Sequence, residues 1–244
     1  MNRIAMALVL CLCFPHGKAY QHGFIMRNFR SLFSPLFASA PTPPEPFGFK
    51  IGWIAVRSTD IRAVAESLPI RSQSPANWHD GIETAYRGGS VFITPPVNGW
   101  ISIVGDWAMG TEERRPVLSV SVQSEVTHRS VEMIARIVAD LSAKFDEAQG
   151  YATHRVTEYH HWILAKQGRV VRCFGYMGES GEIVCQTGAV TEAEKKLQYA
   201  SKPPDRWLPD EQDVMTVASG WSFDPTKLSA ASGPAATGIV ARMK

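Results

Sequence analysis

The strongest constraint on the fold lies in residues 130–186, where a helical hydrophobic period gives way to an extended one interrupted only by turn signals. Within 130–145, Val131, Ile134, Ile137, Val138, Leu141 and Phe145 share one stripe, while Glu132, Arg136, Asp140 and Lys144 fall away from it. That spacing predicts an amphipathic helix. Residues 149–166 then read as one long strand dense in aromatic and β-branched side chains, followed by 169–177 across the turn pair Gln167-Gly168. The segment 178–181 turns again into 182–186, so three strands are expected to form an antiparallel meander.

Upstream, 47–57 reads as a largely buried strand, and Thr59 or Asp60 can cap a short helix carrying Ile61, Val64, Ala65 and Leu68 up to Pro69. Residues 72–81 are turn-rich, with Trp78 as their anchor. Strands at 90–94 and 100–104 follow, separated by Pro95-Pro96 and the tight-turn pair Asn98-Gly99. Downstream, Thr191 and Glu194 have capping-box spacing and open a short helix that Pro203-Pro204 ends. A last short element is expected over 213–223, with Trp207 and Trp221 as packing anchors. Helices and strands do not alternate, so the expected class is α+β, a mostly antiparallel sheet with one long and two or three short helices packed on it. Two β-α-β-β-like halves are conceivable, although no matched residues establish a duplication.

The domain expectation has three parts. Residues 1–46 form an N-terminal extension with a Pro-rich linker, 47–228 the globular domain, and 229–244, dominated by Ala, Ser, Gly and Pro, a frayed tail. Residues 1–19 read like a secretory signal, with Arg3 before the apolar run 4–14, which is too short to span a bilayer. A second start at Met26, followed by Arg27 and Arg30, favours a cytoplasmic protein; use of the first signal would make it periplasmic or secreted. Cys173 and Cys185 flank a turn and can either be bridged, in an exported chain, or stay as two unbonded thiols.

A formal charge of +2 creates no basic field, which argues against nucleic acid as a partner. No phosphate loop is present, because 175–181 lacks the Lys-Ser/Thr pair and leads into a strand. No serine sits in a nucleophile elbow.

The densest polar group is 152–162, ATHRVTEYHHW. If it is extended throughout, His154, Glu158, His160 and Trp162 share one face, and Arg155, Thr157, Tyr159 and His161 the other. His154, Glu158 and His160 would then be candidate ligands for zinc or another divalent transition metal, and Glu158 with His160 a candidate acid/base pair. The plainer expectation is cross-strand hydrogen bonding to Arg169, Arg172 or Tyr176. For partner binding, the candidates are Trp78, Trp100 and Trp107 lining a groove, with Tyr159 and His161.

The segments VFITPPVNGW (91–100), ATHRVTEYHHW (152–162) and RVVRCFGYMGESGE (169–182) resemble parts of an uncharacterised family of bacterial proteins, over roughly residues 47–200. The resemblance implies a bacterial origin and a cytosolic body; it brings no reaction, cofactor or catalytic residue. By analogy it implies a small accessory or toxin-neutralising protein. The leading expectation is therefore a non-enzymatic, immunity- or accessory-type protein without a cofactor, whose partner is another protein such as a toxin or secreted effector. The alternative is a metal-dependent hydrolase using His154, Glu158 and His160.

Overall fold

Alternating apolar residues set the middle of the fold. In β1 (Gly52–Arg57), Ile54 and Val56 face one side, Trp53 and Ala55 the other, and all are buried. A strand buried on both faces must be central, and β1 is the fifth of nine. A computed structural model of the chain describes residues 40–109, 120–178, 180–197 and 209–244, with side chains in the long helix described from Arg129 onward. All of these belong to one unit, Ser39–Lys244.

The other strands are β2 (Ile70–Asn77), β3 (Val91–Ile93), β4 (Trp100–Gly105), β5 (Glu147–His154), β6 (Tyr159–Lys166), β7 (Arg169–Met177), β8 (Glu182–Thr187) and β9 (Thr237–Met243). They form one sheet in the order β2-β9-β3-β4-β1-β5-β6-β7-β8, and every neighbouring pair is antiparallel. Among the described residues four α-helices cover it: α1 (Ile61–Glu66), α2 (Trp78–Tyr86), α3 (Val120–Phe145) and α4 (Glu211–Trp221). The α+β class with a mostly antiparallel sheet is thus the observed one.

The stripe of α3 lies as its spacing requires: Val131, Ile134, Val138 and Leu141 are buried on the first face of the sheet, with Val64 and Ala65 of α1. Trp78 and Ala85 of α2, and Val214, Met215, Val217 and Ala218 of α4, pack on the second. Asp60 caps α1, its Oδ1 accepting from the Arg62 and Ala63 amides at 3.0 and 3.1 Å. The Asn98-Gly99 turn joins β3 to β4, both residues with positive φ, 51° and 82°. No helix among the described residues is long and apolar enough to cross a membrane.

Three expectations are corrected. Residues 72–81 are not a turn-rich loop: they hold most of β2 and the start of α2. Polar β2 lies at the sheet edge, where Pro75 needs no ladder N–H, and Gly81 within α2 lets the Phe92 ring pack where a Cβ would collide. Residues 229–244 are not a frayed tail, since β9 runs between β2 and β3 with Ala241 fully buried. Its neighbours lie far away along the chain, so local composition does not announce it. The Pro-rich segment does not stand off as a linker from residue 40 onward. Thr42 bridges Ala236, the Trp78 amide donates to Thr42 Oγ1 at 3.1 Å, and His79 Nδ1 lies 3.2 Å from Glu45 Oε2. Residues 1–39, with their signal-like runs, and 198–208, with Trp207 and the end of the expected helix, lie outside the described residues.

Candidate functional site: the β5–β8 meander

Residues 149–166 do not form one strand. A turn at 155–158 separates β5 from β6, with Glu158 at φ 48°. The turn breaks the parity on which the proposed triad depended. In the hairpin, His160 pairs with Thr153 and Tyr159 with His154, so His160 faces the second side of the sheet and His154 the first. His154 Nδ1 bonds Thr157 Oγ1 at 2.9 Å. Glu158 sits in the turn, its carbonyl accepting from the Gly178 amide at 3.0 Å and its side chain packed where a Gly178 Cβ would lie. His154, Glu158 and His160 therefore form no ligand set, and no three His, Cys, Asp or Glu side chains among the described residues gather to hold a metal ion. Glu158 and His160 likewise make no hydrogen-bonded acid/base pair. The charged neighbour that favours His160 protonation is Asp210, the N-cap of α4.

The two histidines of β6 are both buried. On the first face His161 is fully enclosed, its Nδ1 2.8 Å from the Tyr159 hydroxyl and its Nε2 without a partner among the described residues. Burial, reinforced by the neighbouring His160, pushes its pKa down to about 3, and burial pushes the Tyr159 phenol up. On the second face His160 is 2% exposed, and its Nδ1 has no partner among the described residues. Burial lowers its pKa to about 4, with Asp210 opposing and His154 adding to the shift. Both rings are neutral near pH 7 and serve as packing.

The partner-binding candidates are corrected for the same reason. Trp78, Tyr159 and His161 lie in the core; Trp78 meets Phe92 edge-on at 5.8 Å. Trp100 and Trp107 are half-buried and pack against opposite core clusters, so the tryptophans line no common groove.

The expected cross-strand bonds from Arg172 to this group are replaced by an ion pair that the sequence does not reveal. Arg172 Nη2 and Nε reach Glu194 Oε1 at 2.7 and 2.8 Å, with both side chains excluded from solvent. Trp162 Nε1 and the Thr191 amide and hydroxyl also donate to this carboxylate, at 2.9, 2.8 and 2.9 Å. Burial alone would raise the Glu194 pKa, but the bonds from Arg172, Thr191 and Trp162 outweigh it and hold it below its ordinary value. Arg172 Nη1 donates to the carbonyls of Cys173, Thr187 and Gly188 at 3.3, 3.1 and 3.2 Å, tying the end of β8 to the sheet. The capping-box spacing of Thr191 and Glu194 was the available signal; it leads to a single turn, Glu194–Lys196.

What remains open is the outer side of β8. Among the described residues this strand pairs only with β7, and a register shift at Val184 sends both Val184 and Cys185 to the first face. Ile183, paired across the ladder with Tyr176, is 49% exposed, and Val171 and Val190 are exposed as well. Cys173 and Cys185 are joined by a disulfide, which decides between the two states left open by the sequence. No protein-family model matches the chain, and neither curated proteins nor solved structures provide a match.

Proposed function

We propose that this protein acts by binding another protein, without catalysis of its own, and that the docking element is the free edge of β8. The supporting observation is the contrast between the two edges of the sheet. Along β2, Pro75 and exposed Arg71 are devices that block further strand pairing, whereas a register shift is common to both edges. Along β8 there is no proline or lysine, Ile183 is exposed, and no second strand among the described residues pairs with it. A row of N–H and C=O groups beside an apolar side chain suits an extended peptide segment, added as a tenth strand. The analogy drawn from the resemblance to an uncharacterised bacterial family, that of an accessory or toxin-neutralising protein, makes a toxin or secreted effector the first partner class to try.

The test uses the oxidised full chain against such a segment, recovered from a displayed library of extended peptides. Ile183→Lys should weaken binding at least about tenfold, because an edge lysine disfavours pairing. Ser74→Lys, on the β2 edge, should leave it unchanged. Equal binding by all three proteins removes the reading.

The disulfide supports an oxidising compartment, and with it the periplasmic or secreted alternative in which residues 1–19 act as a signal. Mass determination of the native N-terminus tests this: a cut near Ala19 is expected, and a start at Met26 contradicts it.

A further inference from the structure

We propose that the Cys173–Cys185 disulfide is a redox gate on the β8 edge: it holds β8 flat against β7 for docking, and a dithiol that reduces it releases the strand. The inference rests on the docking reading and adds its regulation.

The placement of the bridge carries the argument. Cys173 pairs across the ladder with Thr187, and Cys185 with Gly175, so the disulfide runs diagonally between the strands with its Cα atoms 6.1 Å apart. It ties the outermost strand at the point where the register shift at Val184 interrupts the ladder. Beyond it, β8 is anchored independently, because Arg172 Nη1 holds the carbonyls of Thr187 and Gly188. Reduction therefore leaves the C-terminal end of β8 pinned and loosens 182–186, the stretch that carries Ile183. The inner strands do not depend on the bridge, since β5 and β6 are paired on both sides and covered on both faces.

Accessibility sets the direction of attack. Cys173 is 2% exposed, whereas Cys185 is half-buried on the outer strand. A thiolate of the dithiol attacks Cys185 Sγ, the Sγ–Sγ bond breaks, and Cys173 Sγ leaves as a thiolate that takes up a proton. The second thiol of the reductant then attacks the mixed disulfide, closes its own disulfide and expels Cys185 as a thiolate, which is protonated in turn. Two electrons pass from the dithiol to the protein, and no other reactant is required.

Amide hydrogen exchange of the full chain, before and after dithiothreitol, reads the gate without any docking partner. Mass counting of free thiols confirms the redox state. Exchange in 182–186 should accelerate at least about tenfold on reduction, with β5 and β6 unchanged. A Cys173→Ser/Cys185→Ser double variant should show the fast rate with or without dithiothreitol. The proposal is overturned by an unreduced bridge under conditions that reduce an exposed disulfide, by unchanged exchange in β8, by acceleration spreading through β5 and β6, or by a double variant that still responds. Failure of the docking reading shows separately, as binding by the oxidised chain that ignores Ile183→Lys.

Discussion

Arg172 in β7 and Glu194 in the following turn form a solvent-excluded ion pair, Nη2 to Oε1 at 2.7 Å, with the indole N–H of Trp162 donating to the same carboxylate oxygen. The pair fastens the chain after β8 to the second face of the sheet. Removing one partner strands the other charge in the core. Glu194→Ala should destabilise the protein by about 3–5 kcal/mol, whereas a paired replacement by apolar residues of similar volume should recover much of that loss. Urea unfolding of the single and paired variants measures both.

Acid should weaken the fold through the β6 histidines. The folded pKa values, about 4 for His160 and about 3 for His161, lie below the ordinary value of 6.5. Below that value the unfolded chain takes up protons that the folded chain refuses, so stability falls as pH drops from 6.5 towards 4 and 3. The combined effect is on the order of a few kcal/mol. Thermal unfolding from pH 7 to 4.5 should show the loss, and His160→Gln/His161→Gln should flatten the slope even if less stable at pH 7.

Gly81 is required where α2 crosses the Phe92 ring, since a Cβ there would overlap it. Gly81→Ala should destabilise by about 1–3 kcal/mol despite its better helix propensity. The same change at exposed Gly89, where a Cβ would meet nothing but φ is 71°, should act through backbone strain alone. Denaturant midpoints separate the two.

Truncation after residue 236 removes β9 and leaves β2 and β3 without a neighbour between them. Loss of the cooperative thermal transition is expected. A truncated chain that melts like the full one would contradict the place of β9 in the sheet.

The parts legible in the sequence were those whose pattern is local. The stripe of α3, the β6–β7 hairpin and the Asn98-Gly99 turn each follow from spacing or backbone chemistry within one segment. Edge strand β2, with its polar run and Pro75, and β9, whose burial depends on partners more than a hundred residues away, carry no such local pattern. The histidine cluster was misplaced by a single turn: four residues at 155–158 sufficed to send His154 and His160 to opposite faces. Arg172 and Glu194 meet through tertiary packing, and spacing alone could show only the Thr191 bond.

Hydrogen exchange on the oxidised chain, with and without a bound extended segment, tests the central claim most directly. Slowing confined to Glu182–Thr187, at least about tenfold and absent in Ile183→Lys, is the predicted result. Slowing around Trp100 and Trp107 or along α3, with β8 unaffected, would contradict it.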